Sequence, residues 1–201
     1  KGGHMFDGHT EIFATLTQTK SYTMMLWSEK MSVVHVSTHC SLRQACDRAK
    51  KPRILECIHL AQQAMQQLGV ETPRIAVAGL NPHSGENGLF GTEDLEEIAP
   101  AVAAAQAEGL HVDGPVPPDT VFLKAYKGVY DIVVAMYHDQ GHIPMKMMAF
   151  DSGVNVTLGL PIIRTSVDHG TAFDIAGKGI ANVESMLYAV DLGKRFASGR
   201  H

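Results

Sequence analysis

Three stretches of the chain set a histidine among glycine, carboxylate and amide residues: Asp7-Gly8-His9-Thr10-Glu11, Asn81-Pro82-His83-Ser84-Gly85-Glu86 and Tyr137-His138-Asp139-Gln140-Gly141. Neutral imidazole binds borderline divalent ions, and ligands drawn from separate strand ends leave coordination positions open for a substrate. All three stretches suit an exposed, rigid loop. Taken singly, each histidine fits a surface or supporting structural role better than metal ligation, and spacing does not show that the three converge. A second set is Lys146, Asn155 and Arg164. Lysine and arginine near strand ends hold a phosphate or carboxylate, arginine through a two-pronged fork. The alternative for both is a solvated surface charge. A third set runs from Asp168 to Asn182, where Gly170, Gly177 and Gly179 let backbone approach a ligand and a helix is expected to start near Thr171. A helix start favours an anion, whereas a capped helix followed by a Gly-Lys-Gly turn accounts for the same residues without one.

The elements that must position these residues alternate between strand and helix. Tyr22–Trp27 and Met31–Ser37 are rich in β-formers around Ser28-Glu29-Lys30 and read as a hairpin or two neighbouring strands. Ser41 reads as the cap of a helix through Lys51, and Ile54, Ile58, Ala61, Met65 and Leu68 mark the apolar face of a second helix ending at Gly69. Arg74–Leu80 and Asp131–Met136 are continuous apolar runs that deliver His83 and His138 beyond their C-terminal ends, as buried parallel strands do. Thr92 is expected to cap a helix over 93–108. Gly114-Pro115-Val116-Pro117-Pro118-Asp119 is expected to break regular structure before a short helix over 120–126. Val154–Leu158 and a helix over 183–196 complete the alternation. This pattern predicts an α/β sheet, with ligands beyond the carboxyl ends of its strands. No GxGxxG follows a strand, which disfavours a Rossmann cofactor site.

Composition narrows the function classes. The chain has 201 residues, 45% hydrophobic and 19% charged, enough for one sizeable core or two small lobes. A net charge of -4 supplies no broad positive field, so neither nucleic acid nor an anionic membrane is expected as a partner. No apolar run reaches the roughly 18 residues that cross a bilayer, and a cytoplasmic protein is expected. The three cysteines, Cys40, Cys46 and Cys57, contain no CxxC pair and read as reduced thiols.

Through Gly8-His9-Thr10-Glu11, Gly79-Leu80-Asn81-Pro82-His83, Tyr137-His138-Asp139-Gln140-Gly141 and Ser166-Val167-Asp168-His169-Gly170-Thr171-Ala172, the chain resembles the 4-hydroxythreonine-4-phosphate dehydrogenase family nearly end to end. The resemblance implies a three-layer α/β/α sandwich like that of isocitrate and isopropylmalate dehydrogenases. It makes residues 1–201 the C-terminal part of a two-lobed enzyme whose relatives are longer at the N-terminus. It implies that His9, His83 and His138 hold a divalent metal (Zn, Mg, Mn or Co), that Lys146, Asn155 and Arg164 contact a small phosphorylated hydroxy acid, and that His169, Gly170, Thr171, Ala172, Asp174 and Asn182 lie at the adenosine side of NAD. Lys146 and Asp139 are the candidate catalytic acid–base groups. A homodimer with shared active sites is expected on the same ground.

Within the family, His138 through Lys146 looks more like the branch acting on 4-phosphorylated D-threonate or D-erythronate than like the vitamin B6 enzyme. His142 is the position to watch, being close both to a ligand and to Lys146. The rival readings are a catalytically inactive metal-binding fragment and a phosphotransacetylase-like, phosphate-binding enzyme.

Overall fold

The computed structural model describes residues 3, 6, 8–149 and 152–199. Asp7, part of the first histidine stretch, lies outside them. Seven strands form one sheet in the order β4-β3-β5-β2-β1-β6-β7. These are β1 Thr23–Trp27, β2 Ser32–His35, β3 Ile75–Ala78, β4 Val112–Val116, β5 Ile132–Ala135, β6 Val154–Leu158 and β7 Arg164–Val167. Strands β4, β3, β5 and β2 run parallel to one another, while β1, β6 and β7 pair antiparallel with their neighbours.

Strands β3 and β5 are buried on both faces, which is why their sequences read as unbroken apolar runs. One face of the sheet, through Met25, Val34 and Val156, packs on Ile58 of α3 Lys51–Gln67, Val102 of α4 Ala99–Ala107 and Leu192 of α7 Glu184–Ser198. The other face, through Leu26, Val33 and Val133, packs on Val121 and Ala125 of α5 Pro118–Tyr126 and Met145 of α6 His138–Met148. Helix α1, His9–Leu16, meets β6 through the Thr10 and Thr157 hydroxyls, 3.2 Å apart. The layers are therefore helix, sheet and helix, as expected.

The hairpin forms in the register Met25 opposite Val34. The helix expected over 41–51 forms as α2, Leu42–Arg48, with a reciprocal cap: the Gln44 amide donates to Ser41 Oγ and the Ser41 amide donates to Gln44 Oε1. It stops short because Ala49 leaves helical geometry and Pro52 opens the first turn of α3.

Several expectations are corrected. Gly114-Pro115-Val116 does not break regular structure but lies in β4, at the sheet edge, where a missing N–H is tolerated. The helix expected over 93–108 forms as a wide π-type turn, Asp94–Ile98, running into α4, and the Thr92 hydroxyl bonds Glu96 Oε2 at 3.1 Å instead of capping it. No helix begins at Thr171. Residues 172–178 make two successive turns, closed by Ile175 N–H to Ala172 O and Lys178 N–H to Ile175 O. Two stretches read as loops are helical, with His9 opening α1 and His138 opening α6.

Candidate active site

The parallel pairing of β2 with β5 aligns Val33 with Val133 and His35 with Ala135. Residues just past the two strand ends are thus brought side by side, and the His39 and His138 ring centroids lie 5.9 Å apart. Both rings line a hollow of about 340 Å3 with Thr38, Cys40 and Tyr137. Asp139 Oδ1 accepts from His138 Nδ1 at 2.7 Å, which leaves Nε2 of His138 as the open donor atom for a cation. Two imidazoles that ligate one ion at ~2.1 Å each have rings about 5–6 Å apart, so this pair fits a shared ion. Among the described residues, however, no three His, Cys, Asp or Glu side chains are arranged to hold a metal ion. The expected trio His9, His83 and His138 is therefore not assembled within a single chain. The donor set fits a divalent ion in part, and further ligands must come from outside this arrangement.

Behind His138 the imidazoles continue into the core. His142, one turn along α6, donates from Nδ1 to the His138 carbonyl at 2.9 Å and stacks on the His138 ring at 3.6 Å with 9° between planes. Burial first, then the neighbouring His138, hold its pKa down to about 4. His35 lies 4.7 Å beyond, fully buried, its pKa lowered by burial to about 3. Its Nδ1 faces the Met24 carbonyl at 3.3 Å and its Nε2 has no hydrogen-bond partner. Both rings are therefore neutral at pH 7.

On the same face, Arg164, Thr157 and Asn155 share one side of the antiparallel half of the sheet. Thr157 is opposite Arg164 and Asn155 is two residues away, while Val154, Val156 and Leu158 point into the core. Arg164 Nη1 donates to Asn155 Oδ1 at 3.1 Å and to Thr157 Oγ1 at 3.3 Å. Its guanidinium is half-buried, 5.9 Å from the Phe13 ring centre, and its pKa is lowered by desolvation. No carboxylate pairs with it among the described residues. A partly desolvated cation held in place without an acidic partner is a site for an anionic ligand.

Lys146 is exposed in the last turn of α6. Asp168, raised by burial and opposed by Lys146, His138 and His169, ties that end of the helix electrostatically to the start of the 169–182 segment. His169, Gly170, Thr171, Ala172, Asp174 and Asn182 all lie in that segment and all are exposed. Phe173 and Ile180 beside them are 83% and 66% exposed, apolar side chains that nothing in the chain covers among the described residues.

His83 is carried differently. It begins a run of five residues in the left-handed region, His83, Ser84, Gly85, Glu86 and Asn87, with φ of 52°, 54°, 78°, 42° and 56°. Left-handed backbone costs about 1–2 kcal/mol per residue that bears a Cβ, and four of these five do. Asp94 closes the mouth of the turn. It is fully buried and accepts from the Leu80 amide at 2.9 Å, the Asn81 amide at 3.1 Å and Asn81 Nδ2 at 2.9 Å. The His83 ring is exposed and faces Phe90, 6.3 Å away.

Sequence reasoning missed His39, Thr157 and Asp94. For His39 the available signal was the pairing of two buried parallel strands, which puts residue 39 beside residue 138.

The family model "Pyridoxal phosphate biosynthetic protein PdxA" matches residues 1–193. D-threonate 4-phosphate dehydrogenase of Pectobacterium atrosepticum is 53% identical over 195 residues, covering 97% of this chain and 60% of that protein. 4-Hydroxythreonine-4-phosphate dehydrogenase of Beijerinckia indica is 52% identical over 193 residues, covering 96% and 57%. The crystal structure of a 4-hydroxythreonine-4-phosphate dehydrogenase from Klebsiella pneumoniae superposes with a TM-score of 0.86 at 55% identity, covering 97% of this chain and 60% of that one. The chain thus spans about 60% of the length of the curated relatives it matches. By sequence and by fold, the chain belongs to the PdxA family.

Proposed function

We propose that the chain is the C-terminal part of a two-lobed, NAD- and divalent-metal-dependent dehydrogenase. In this reading it oxidises the C3 hydroxyl of a four-carbon 4-phosphorylated hydroxy acid, 4-phospho-D-threonate or 4-phospho-D-erythronate, with decarboxylation to a phosphorylated three-carbon ketone. The observation that carries this is Arg164: a half-buried guanidinium with no acidic partner among the described residues, fixed by Asn155 and Thr157 on the face that also bears α6. It suits a phosphate or carboxylate of the substrate. Asn155 orients the guanidinium through Oδ1, and its Nδ2, 3.2 Å from Met24 Sδ, has only a weak acceptor to give up to a ligand.

When bound, NAD accepts the hydride from C3 and the divalent ion draws negative charge from the oxygen on that carbon. His138 would hold the ion, turned by Asp139 so that Nε2 points outward. His39 joins it on geometry, and His83 and His9 complete the set only if a second chain or further residues bring them in. A homodimer with shared sites belongs to this proposal. Lys146, exposed in the last turn of α6, would take the hydroxyl proton at Nζ; Asp139, already engaged with His138, serves better as that ring's anchor than as a base. Loss of carbon dioxide from the 3-keto acid leaves an electron pair at C2, which takes up a proton to give the ketone. The exposed segment containing His169, Gly170, Thr171, Ala172, Asp174 and Asn182 would meet the adenosine half of NAD, covering Phe173 and Ile180.

A cytoplasmic location is part of the same reading, and no described helix is long and apolar enough to cross a membrane. The full-length protein, given NAD and a divalent ion, should form NADH fastest with the two phosphorylated aldonic acids. Preference for 4-hydroxy-L-threonine 4-phosphate, the substrate named for the Beijerinckia relative, would instead assign the vitamin B6 reaction. No NADH from any of the three refutes the dehydrogenase reading, as the inactive-fragment and phosphate-transfer alternatives require.

A further inference from the structure

The left-handed run from His83 to Asn87 needs an external hold, because four of its five residues carry a Cβ that disfavours this backbone. At its ends the turn is closed by backbone bonds from Ser84 N–H to Asn81 O, Leu89 N–H to Glu86 O and Phe90 N–H to Gly85 O. The hold comes from the first residue of the π-type turn, Asp94, whose buried carboxylate lies against the loop at Gly79 and Gly85. A Cβ on Gly79 would lie 2.8 Å from Asp94 Oδ1 and 2.7 Å from Ser84 Oγ, and one on Gly85 would lie 3.3 Å from Asp94 Oδ2. Asp94 uses both oxygens on the two residues that lead into Pro82 and His83, Oδ1 on the Leu80 amide and Oδ2 on Asn81. Asn81 Nδ2 also donates to Glu93 Oε2 at 2.8 Å, and Ser84 Oγ donates to the Pro115 carbonyl at 3.2 Å, so the entry to the loop is tied to two neighbouring elements.

We propose that Asp94 is the positioning residue for His83: its buried carboxylate fixes the entry to the strained left-handed turn and so sets the direction in which the imidazole is presented. Asp94 does not itself reach the solvent or a ligand, being fully buried. Its effect passes through the backbone of 80–83. The inference rests on the reading of His83 as a metal ligand, and it adds a group that acts on that ligand from behind.

The test measures divalent-ion affinity of the full-length protein by calorimetry with Mn2+ and with Zn2+, without substrate or NAD. His83→Ala is made first. If it leaves affinity unchanged, the ligand role of His83 falls, and this inference with it. With that loss established, Asp94→Asn should weaken binding 10- to 100-fold, the range found when a group supporting a metal ligand is removed. The loss should vanish in the His83→Ala background, since Asp94 acts through that side chain. Adding Glu86→Gly to Asp94→Asn should recover part of the affinity, because glycine adopts the left-handed region at no steric cost. If Asp94→Asn does not fold, Asn81→Ala, which deletes only the Nδ2 bonds, should show the same dependence on His83 at smaller size. Unchanged affinity in Asp94→Asn, or an equal loss with and without His83, overturns the assignment and leaves the ligand role of His83 standing.

Discussion

Gly141→Ala should destabilise the protein although it raises helix propensity. Gly141 lies in the first half of α6, where a Cβ would sit 2.4 Å from His35 Nε2, 2.8 Å from Val33 Cγ1 and 3.0 Å from His35 Cδ2. Ordinary contact is roughly 3.5–4.0 Å, so the overlap is about 1 Å. Neither neighbour can yield easily. Val33 and His35 are fully buried in β2, and His35 faces the Met24 carbonyl at 3.3 Å. The helix must lift off the sheet or His35 must leave its acceptor. Overpacking of this kind costs up to about 3 kcal/mol, and the exchange of glycine for alanine in a helix returns about 1 kcal/mol, for a net loss near 2 kcal/mol. In a unit of this size that corresponds to a melting temperature lower by about 4–8 °C. Gly193→Ala in α7 is the control: its Cβ would meet Thr165 Oγ1 at 3.3 Å and Cγ2 at 3.9 Å, a contact relieved by a shift of a few tenths of an ångström, so any loss should be much smaller. Thermal and urea unfolding of the two variants, with identical chemistry and very different expected losses, separate the clash from propensity. Because α6 begins at His138, the lifted helix should also weaken divalent-ion binding. A Gly141→Ala protein as stable as Gly193→Ala would refute the claim that α6 is seated on β2 through His35.

Acidification gives a second outcome. His35 titrates at about 3 in the fold against an ordinary 6.5, so it opposes unfolding fully above pH 6.5 and loses that contribution as pH falls toward 3. Between pH 7 and 5 the loss from this residue is about 2 kcal/mol, and His35→Gln should flatten that part of the stability profile; an unaltered slope would mean that His35 is not held neutral. His138→Ala should abolish divalent-ion retention and turnover together, with unchanged metal content counting against the ligand role. Arg164→Lys keeps the charge but cannot reproduce the fork held by Asn155 and Thr157, so KM for a phosphorylated acid should rise about tenfold or more, equivalent to at least about 1.4 kcal/mol; an unchanged KM would remove Arg164 from the site. NAD should slow amide hydrogen exchange across residues 169–182, and equal exchange with and without it would detach that segment from the cofactor.

What the sequence made legible follows from where burial is symmetric. Strands β3 and β5 lie in the middle of the sheet, so every residue in them is apolar and the runs stand out; β1 and β2 were visible through their β-forming residues on either side of Ser28-Glu29-Lys30. The edges were harder. β4 carries Gly114 and Pro115 because an edge strand can omit a donor, and β7 is only half-buried along its length, so neither shows the apolar run of a central strand. Helix α6 was hidden by Gly141 and Pro144, residues that read as loop. Gly141 is there because His35 leaves no room for a Cβ, a constraint set by a residue over a hundred positions away. The site divides along the same line. His83 and His138 were visible because they follow conspicuous strands, and Arg164 because an apolar run leads into it. His39 follows a strand equally conspicuous, but its partnership with His138 depends on β2 and β5 being neighbours in parallel register, which is a property of topology. The handedness of the His83 turn was beyond reach for a different reason. Ser84 and Glu86 have no preference for left-handed backbone, so the conformation is imposed by Asp94 and the packing around it, and local sequence carries no mark of it. Where a functional residue sits in a conformation its own neighbours disfavour, the group that enforces the conformation lies elsewhere in the chain, and the buried polar side chain touching the loop's backbone is the place to find it.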